Sequence, residues 1–333
     1  MLNFCTLFDI NFIFHGLGLY ESLKENCKSE FTLYIFAFCD KSYKLLKDLN
    51  LPNVKVISTD ELEQRLPQLK EAKQNRSKGE YCWTCASASI LYCIKTFNLE
   101  QCTYLDSDIY FYQNPKTLLD EMKEKSILIT EHRYTPEHDL TATSGKYCVQ
   151  FVSFKNDEKG IKALNWWVNS CIEWCYNRFE DGKFGDQKYL DDWTERFEGV
   201  HVLEHLGGGV APWNVQQYSI LQKEGKIYVN DCIPVIFYHF HNVKIAKNGK
   251  FYKKNYESYP REEIVNELFY KPYIAKLVDI SKDLHEKYNN VLLLKNSITA
   301  MLFKDRIKEL RRKFIRIKIG KNSYLELFGF KII

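Results

Sequence analysis

The opening of the chain constrains the fold most. Leu2 to Phe8 is an apolar run of strand-favouring residues that stops at Asp9-Ile10-Asn11, and a helix is expected from about Gly16 to Asn26. Phe31 to Phe38 reads as a second strand, Lys41 to Asn50 as a second helix and Val54 to Ile57 as a third strand. Ser58-Thr59-Asp60-Glu61 then has the form of a capping box, in which serine and glutamate each satisfy the other's backbone N–H at the start of a helix. Strand, helix, strand, helix, strand in so short a span predicts a parallel, doubly wound α/β sheet, because parallel neighbours need crossover helices. In such a sheet ligands bind outside the carboxyl ends of the strands. Asp9 and Asn11 stand at such an end.

A second candidate lies at Thr103 to Phe111. The apolar run Thr103-Tyr104-Leu105 leads into Asp106-Ser107-Asp108, and Ile109-Tyr110-Phe111 leads out. Residues two apart in extended chain point the same way, so the two carboxylates converge. Two hard oxygen ligands at the end of a buried strand suit a divalent cation, and a cation there can hold a diphosphate. A solvated turn with two aspartates would read the same from this stretch alone. His239-Phe240-His241 repeats the spacing after an expected strand Ile233 to Tyr238, with Lys244 following.

Between these motifs, Arg76 to Phe97 begins polar and becomes a helix, and Ile127 to Thr130 and Gly145 to Phe154 supply further strands. Ile161 to Asn177 is expected as an amphipathic helix with Trp166, Trp167 and Trp174 as core anchors. Phe184 to Trp193 is a loop turning into a helix, with Asp186 where a carboxylate suits the helix dipole. Gly207-Gly208-Gly209 would let backbone pass close to a ligand, making Trp213 and Asn214 candidate substrate contacts. No Gly-Xaa-Gly-Xaa-Xaa-Gly and no Walker lysine motif occurs, which counts against a dehydrogenase or a P-loop enzyme.

Taken in order, Thr6-Leu7-Phe8-Asp9-Ile10-Asn11, Tyr104-Leu105-Asp106-Ser107-Asp108, Gly185-Asp186-Gln187 and His239-Phe240-His241-Asn242-Val243-Lys244 resemble the GT-A glycosyltransferases. Among these the chain is most similar to the family 8 type of retaining galactosyl- and glucosyltransferases, in a divergent bacterial branch. The resemblance runs from Cys5 to Lys244. It implies a GT-A, Rossmann-like fold: a mixed, mostly parallel sheet flanked by helices, over residues 1–250. It also implies that Thr6, Asp9 and Asn11 hold the uracil and ribose of a UDP-sugar. Asp106 and Asp108 would bind Mn²⁺ or Mg²⁺ with His239 as the third protein ligand, and His241 is the fallback. An imidazole beside carboxylates favours manganese. Asp106 and Lys244 would face the diphosphate, Asp186 the donor sugar's hydroxyls, and Gln187 the back face of the reacting carbon. A glutamine there suits a polar stabiliser of a cationic sugar better than a nucleophile.

Two departures accompany the resemblance. Trp83 stands where the family often has an arginine, leaving Arg76 or Lys78 to replace it at the donor. The family's Asn-Xaa-Gly is absent, and Val149-Gln150-Phe151 leaves Gln150 as the polar, substrate-binding group.

Composition narrows the setting. The 333 residues, 45% hydrophobic and 27% charged, suit an ordinary folded protein. No apolar stretch is long enough to span a membrane, and no signal peptide is legible at the N-terminus. Eleven scattered cysteines, an odd number, predict reduced thiols in a cytoplasmic protein. Cys82 with Cys85 and Cys171 with Cys175 read as buried thiols without zinc. The net charge of +4 hides a basic segment, Lys304 to Lys321, in which nine basic residues stand against Asp305 and Glu309. Residues 251–333 are therefore expected to form a helical, basic appendage, with Met301 to Phe314 as a basic helix, that lies on an anionic membrane surface or docks a partner. The function expected is transfer of a hexose from a UDP-sugar to a cell-surface glycan acceptor, on the inner face of the membrane. A nucleotidyltransferase acting on a sugar phosphate is the alternative, although the glycine- and lysine-rich loop it needs after the first strand is missing. A non-enzymatic nucleic-acid or membrane binder is the third reading. Nucleic acid as a partner is not expected, because the basic charge belongs to the tail and not the fold.

Overall fold

The computed structural model describes residues 1–245, 251–253, 259 and 262–288, and the backbone of strands at 315–318, 324–327 and 330–331. The chain forms two compact units, Met1–Asn242 with Asn255–Ile280, and Val243–Lys254 with Ser281–Ile333.

The first unit is built on seven strands: β1 (Leu2–Phe8), β2 (Phe31–Ala37), β3 (Val54–Ser58), β4 (Gln101–Leu105), β6 (Ile127–Glu131), β7 (Tyr147–Lys155) and β8 (Val200–Val202), with β5 (Ile109–Phe111) outside that sheet. Their order is β3-β2-β1-β4-β7-β6-β8. β1 is parallel to β2 and β4, β2 to β3 and β6 to β8, while β7 runs antiparallel to β4 and β6. This is the mixed, mostly parallel sheet flanked by helices that the resemblance implies, and the parallel strands β1 to β4 are those the sequence pattern predicts. Capping boxes open two helices: Ser58 with Glu61 before Thr59–Arg65, and Ser77 with Glu80 before Lys78–Phe97.

Lys78–Phe97 and Glu158–Glu173 cover one face of the sheet. Trp167, fully buried, stacks on Phe154 at 6.1 Å and meets Trp193 edge-on at 5.5 Å. All eleven cysteines are free, and the sulfurs of buried Cys5, Cys93 and Cys102 lie within 4.8 Å of one another inside this core. That cluster was not legible in the spacing, because its members come from two strands and a helix.

The expected helix Ile161 to Asn177 is instead Glu158–Glu173. It starts earlier because the Asp157 carboxylate accepts from Gly160 N at 2.8 Å. At its other end Arg76, itself buried, donates to the carbonyls of Ile172 (2.9 Å) and Cys171 (3.4 Å). The expected strand Ile233 to Tyr238 divides into Ile233–Pro234 and Phe237–His239, which pair with different partners. A hairpin that the sequence reading missed, Ile220–Lys223 with Lys226–Val229, turns at Glu224-Gly225, both at positive φ (50° and 75°).

In the second unit Val243–Ile245 pairs with Phe251–Lys253, and Ile315–Lys318, Tyr324–Leu327 and Phe330–Lys331 form an antiparallel sheet. A C-terminal helix is present at Lys271–Lys287. Ile315–Lys318, expected within a basic amphipathic helical appendage, is a strand, since alternation of isoleucine with basic residues also fits period two. The expected helix Met301 to Phe314 lies outside the described residues. Among the described residues no helix is long and apolar enough to cross a membrane.

Candidate active site

The site forms where β4 ends. Asp106 N donates to Gln150 O at 3.1 Å, and after Asp108 the chain leaves the main sheet as β5. β5 pairs antiparallel with Phe237–His239, placing His239 opposite Ile109, and Phe240 N donates to Asp108 O at 2.8 Å. This pairing, between segments over a hundred residues apart, brings the histidine to the aspartates. His239 Nε2 lies 3.1 Å from Asp108 Oδ1 and 3.9 Å from Asp106 Oδ2.

The loop at Gly207–Asn214 supports the histidine strand from the other side. Ile236 N donates to Gly207 O (2.8 Å) and His239 N to Val210 O (2.9 Å). A Cβ on Gly207 would lie 1.9 Å from the Pro234 carbonyl oxygen, and one on Gly209, at φ 96°, 2.9 Å from Gln150 Nε2. The glycines therefore admit the protein's own chain, where a ligand was expected. Asn214 is fully buried, accepting from Ala211 N and donating to the carbonyls of His132 and Gly209. Trp213 donates its indole N–H to His132 O at 3.0 Å and packs edge-on against His239. Expected as substrate contacts, both instead fasten this loop.

Gln150 is also fully buried, and its Oε1 accepts from His239 Nδ1 at 2.8 Å. An amide oxygen only accepts, so Nδ1 carries a proton, while Nε2 donates to Asp108 without an ion and becomes the ligand atom when a cation displaces that proton. That is the arrangement by which metal-binding histidines are oriented. Gln150, expected at the substrate, acts on the histidine. Two ligands held ~2.1 Å from one ion at a right angle lie about 3.0 Å apart. The Asp108–His239 separation matches this, and with Asp106 3.9 Å from the same histidine the residues present fit a divalent cation. Gln150→Leu should weaken divalent-metal affinity roughly 10–100-fold with little change in metal-free melting temperature, since the buried, unpartnered Nε2 disappears as well. Calorimetric titration with Mn²⁺ beside a melting curve checks this, and unchanged affinity would refute the orienting role.

The electrostatics separate the two aspartates. Withdrawal from water, with Asp108 adding repulsion, pushes Asp106 up to about 6 against the pull of His239. Burial acts on Asp108 in the same direction, but the charge and hydrogen bond of His239 hold its carboxyl well below the usual range. Burial would lower His239, yet Asp108 draws it well above the ordinary imidazole value. Asp186, also buried, is raised well above the carboxylate range by desolvation and then by the Asp106 charge. Gly185 at φ 53° turns the backbone into Asp186, whose carbonyl accepts from Trp167 Nε1 at 2.9 Å. Gln187 Nε2 donates to Ser144 O at 2.6 Å.

At the end of β1, Asp9 accepts from both the backbone N and the side-chain amide of Asn11, at 2.9 and 2.8 Å. Thr6 is fully buried with its hydroxyl unpartnered. Arg76, expected at the donor, is committed to helix carbonyls, Asn75 and the Tyr176 ring. Lys78 is exposed, and its charge and that of Asp9 both act on the Cys82 thiol. Lys244 lies on the Val243–Ile245 strand of the second unit.

Two neighbours of His239 escaped the sequence reading. Cys148 is buried and near enough to His239 for the imidazole to act on its thiol, and His132, pushed down to about 3 by burial, stacks on Tyr134 and receives Trp213 and Asn214 on its carbonyl. The period-two rule that found the aspartates also places Cys148 with Gln150 on one face of β7.

No family model matches the chain. Among solved structures it is similar to the galactosyltransferase LgtC in complex with donor and acceptor sugar analogues (11% identity, TM-score 0.49, 84% of this chain and 95% of that one). It is also similar to mouse xyloside xylosyltransferase 1 (17% identity, TM-score 0.42, 61% and 84%). Both likenesses are distant, and the functional reading rests on the side chains above. In sequence the chain is 31% identical over 284 residues to the uncharacterized protein YfnD of Bacillus subtilis (strain 168), covering 83% of this chain and 88% of that protein. It is also 31% identical over 252 residues to YfnF of the same organism, covering 73% and 82%. At that identity and coverage, the chain belongs to the family of YfnD and YfnF.

Proposed function

We propose that the protein is a metal-dependent glycosyltransferase that moves a hexose from a UDP-sugar to a hydroxyl of a cell-surface glycan, of lipopolysaccharide, lipooligosaccharide or capsule type, with retention. The observation that carries this is the meeting of Asp106, Asp108 and His239 at the carboxyl end of β4, oriented by Gln150. Mn²⁺ or Mg²⁺ bound there supplies charge neutralisation for a leaving diphosphate. The chain's own residues do the rest. Asp9 and Asn11 exchange their mutual bonds for ribose and uracil. Asp186 hydrogen-bonds a hydroxyl of the donor sugar. Gln187, its amide pinned to Ser144, turns a polar group toward a sugar that becomes oxocarbenium-like. Lys244 keeps the diphosphate role that the family resemblance implies.

A nucleotide panel tests the reading. UDP with Mn²⁺ should raise the melting temperature more than ATP or CTP with Mn²⁺. A larger rise with ATP or CTP would favour nucleotidyl transfer and overturn the proposal. Hydrolysis of an α-linked UDP-hexose, followed by NMR, should release the α-anomer first, and a β-anomer would remove Gln187 from its role.

The basic segment 304–321 supports peripheral attachment to anionic lipid, each basic residue contributing about 1 kcal/mol near the surface. The full chain should co-sediment with phosphatidylserine vesicles and be released by salt. No co-sedimentation at low salt would end that part of the reading.

A further inference from the structure

His241 has a part beyond that of a substitute for His239. The ligand atoms of Asp108, His239 and His241 all lie within 4.8 Å of one another. The backbone explains why. His239 and His241 flank Phe240, whose ring stacks on Tyr273 at 3.7 Å while its N–H is tied to Asp108 O. With Phe240 turned into the core, both imidazoles are left on the side of the carboxylate, and the chain turns away at Asn242 (φ 68°). Trp213 packs edge-on against both rings, at 5.1 Å to His239 and 5.9 Å to His241, and the two rings stand 87° apart. His239 is buried, whereas His241 is exposed and closes the group from the solvent side.

We propose that His241 is a second imidazole ligand of the same ion, so that before the donor binds the centre is Asp108, His239 and His241, with Asp106 approaching from 3.9 Å. This rests on the metal-dependent reading above and makes it more specific. Imidazole nitrogen is a borderline ligand, and two of them select Mn²⁺, Fe²⁺, Co²⁺ or Zn²⁺ over Mg²⁺, whose preference is for oxygen and water. The set also suits an anionic substrate. Each imidazole that takes the place of a carboxylate leaves one more positive charge on the ion for the diphosphate to meet. The exposed position of His241 further lets it yield its coordination place to a phosphate oxygen while His239, held by Gln150, stays.

The test uses the full chain stripped with a chelator and titrated with Co²⁺, Mn²⁺ or Mg²⁺ without nucleotide. Wild type should bind Co²⁺ and Mn²⁺ at least tenfold more tightly than Mg²⁺. His241→Ala should lose roughly tenfold or more in Co²⁺ affinity, keep its metal-free melting temperature, and narrow the preference over Mg²⁺. Pulsed electron paramagnetic resonance of the Mn²⁺ form should show two coupled imidazole nitrogens in wild type and one in His241→Ala. Wild-type Co²⁺ affinity in His241→Ala, or a single nitrogen in both proteins, would overturn the inference and leave the Asp106–Asp108–His239 site standing. Failure of wild type to bind any of the three ions would overturn both.

Discussion

Asp108→Ala should reduce glycosyl transfer by about a thousandfold or more and abolish the melting-temperature rise given by UDP with Mn²⁺. Of the two aspartates, Asp108 lies nearer His239 Nε2, at 3.1 Å, and is the one held fully ionised. Its removal leaves the ion with Asp106, which is farther away and is charged less readily. Loss of roughly 4 kcal/mol of electrostatic stabilisation of a leaving group corresponds to about three powers of ten in rate. Asp106→Ala should cost activity as well, but retain weak Mn²⁺ binding through Asp108 and the histidines. Rates from UDP release, with Mn²⁺ affinity by calorimetry on each variant, check the comparison. Activity within tenfold of wild type in Asp108→Ala, at unchanged Mn²⁺ affinity, would show that the convergence of these residues is incidental.

Trp167→Ala should destabilise the first unit by about 3–5 kcal/mol, a large part of the margin of an ordinary domain. The ring is fully buried between Phe154 and Trp193, and no neighbouring backbone can collapse into so large a space within a sheet and two helices. Trp167 also joins the core to the site, since its indole N–H donates to the carbonyl of Asp186. Trp167→Phe separates the two effects. It keeps most of the apolar contact and deletes one hydrogen bond worth about 1 kcal/mol, so its activity should fall more than its stability. Urea denaturation beside steady-state rates measures both. Equal proportional losses in the Phe variant would mean that the indole N–H does not position Asp186.

The legible parts of this protein are those written in neighbouring residues. The capping box at Ser58, the strands β1 to β4 and the paired direction of Asp106 and Asp108 follow from periodicity and from hydrogen bonds between residues a few places apart. Such interactions act whatever the remainder of the chain does, so the sheet and the acidic pair were visible before any coordinates. Membership in a metal-binding group was only half visible: the spacing of His239 and His241 showed that both face one way, and could not show toward what. Tertiary structure decided that β5 pairs with Phe237–His239 and brings the histidines to Asp108. It also turned Gln150, 89 residues from His239, into the residue that fixes its ring, and sent Arg76 to cap a helix 96 residues away. Gly207 and Gly209 looked like room for a ligand, and serve instead to let two segments of the same chain touch. The reason is common to all of these. A partner across such separations is set by which strands find each other and how the crossovers close, and no local pattern encodes that choice.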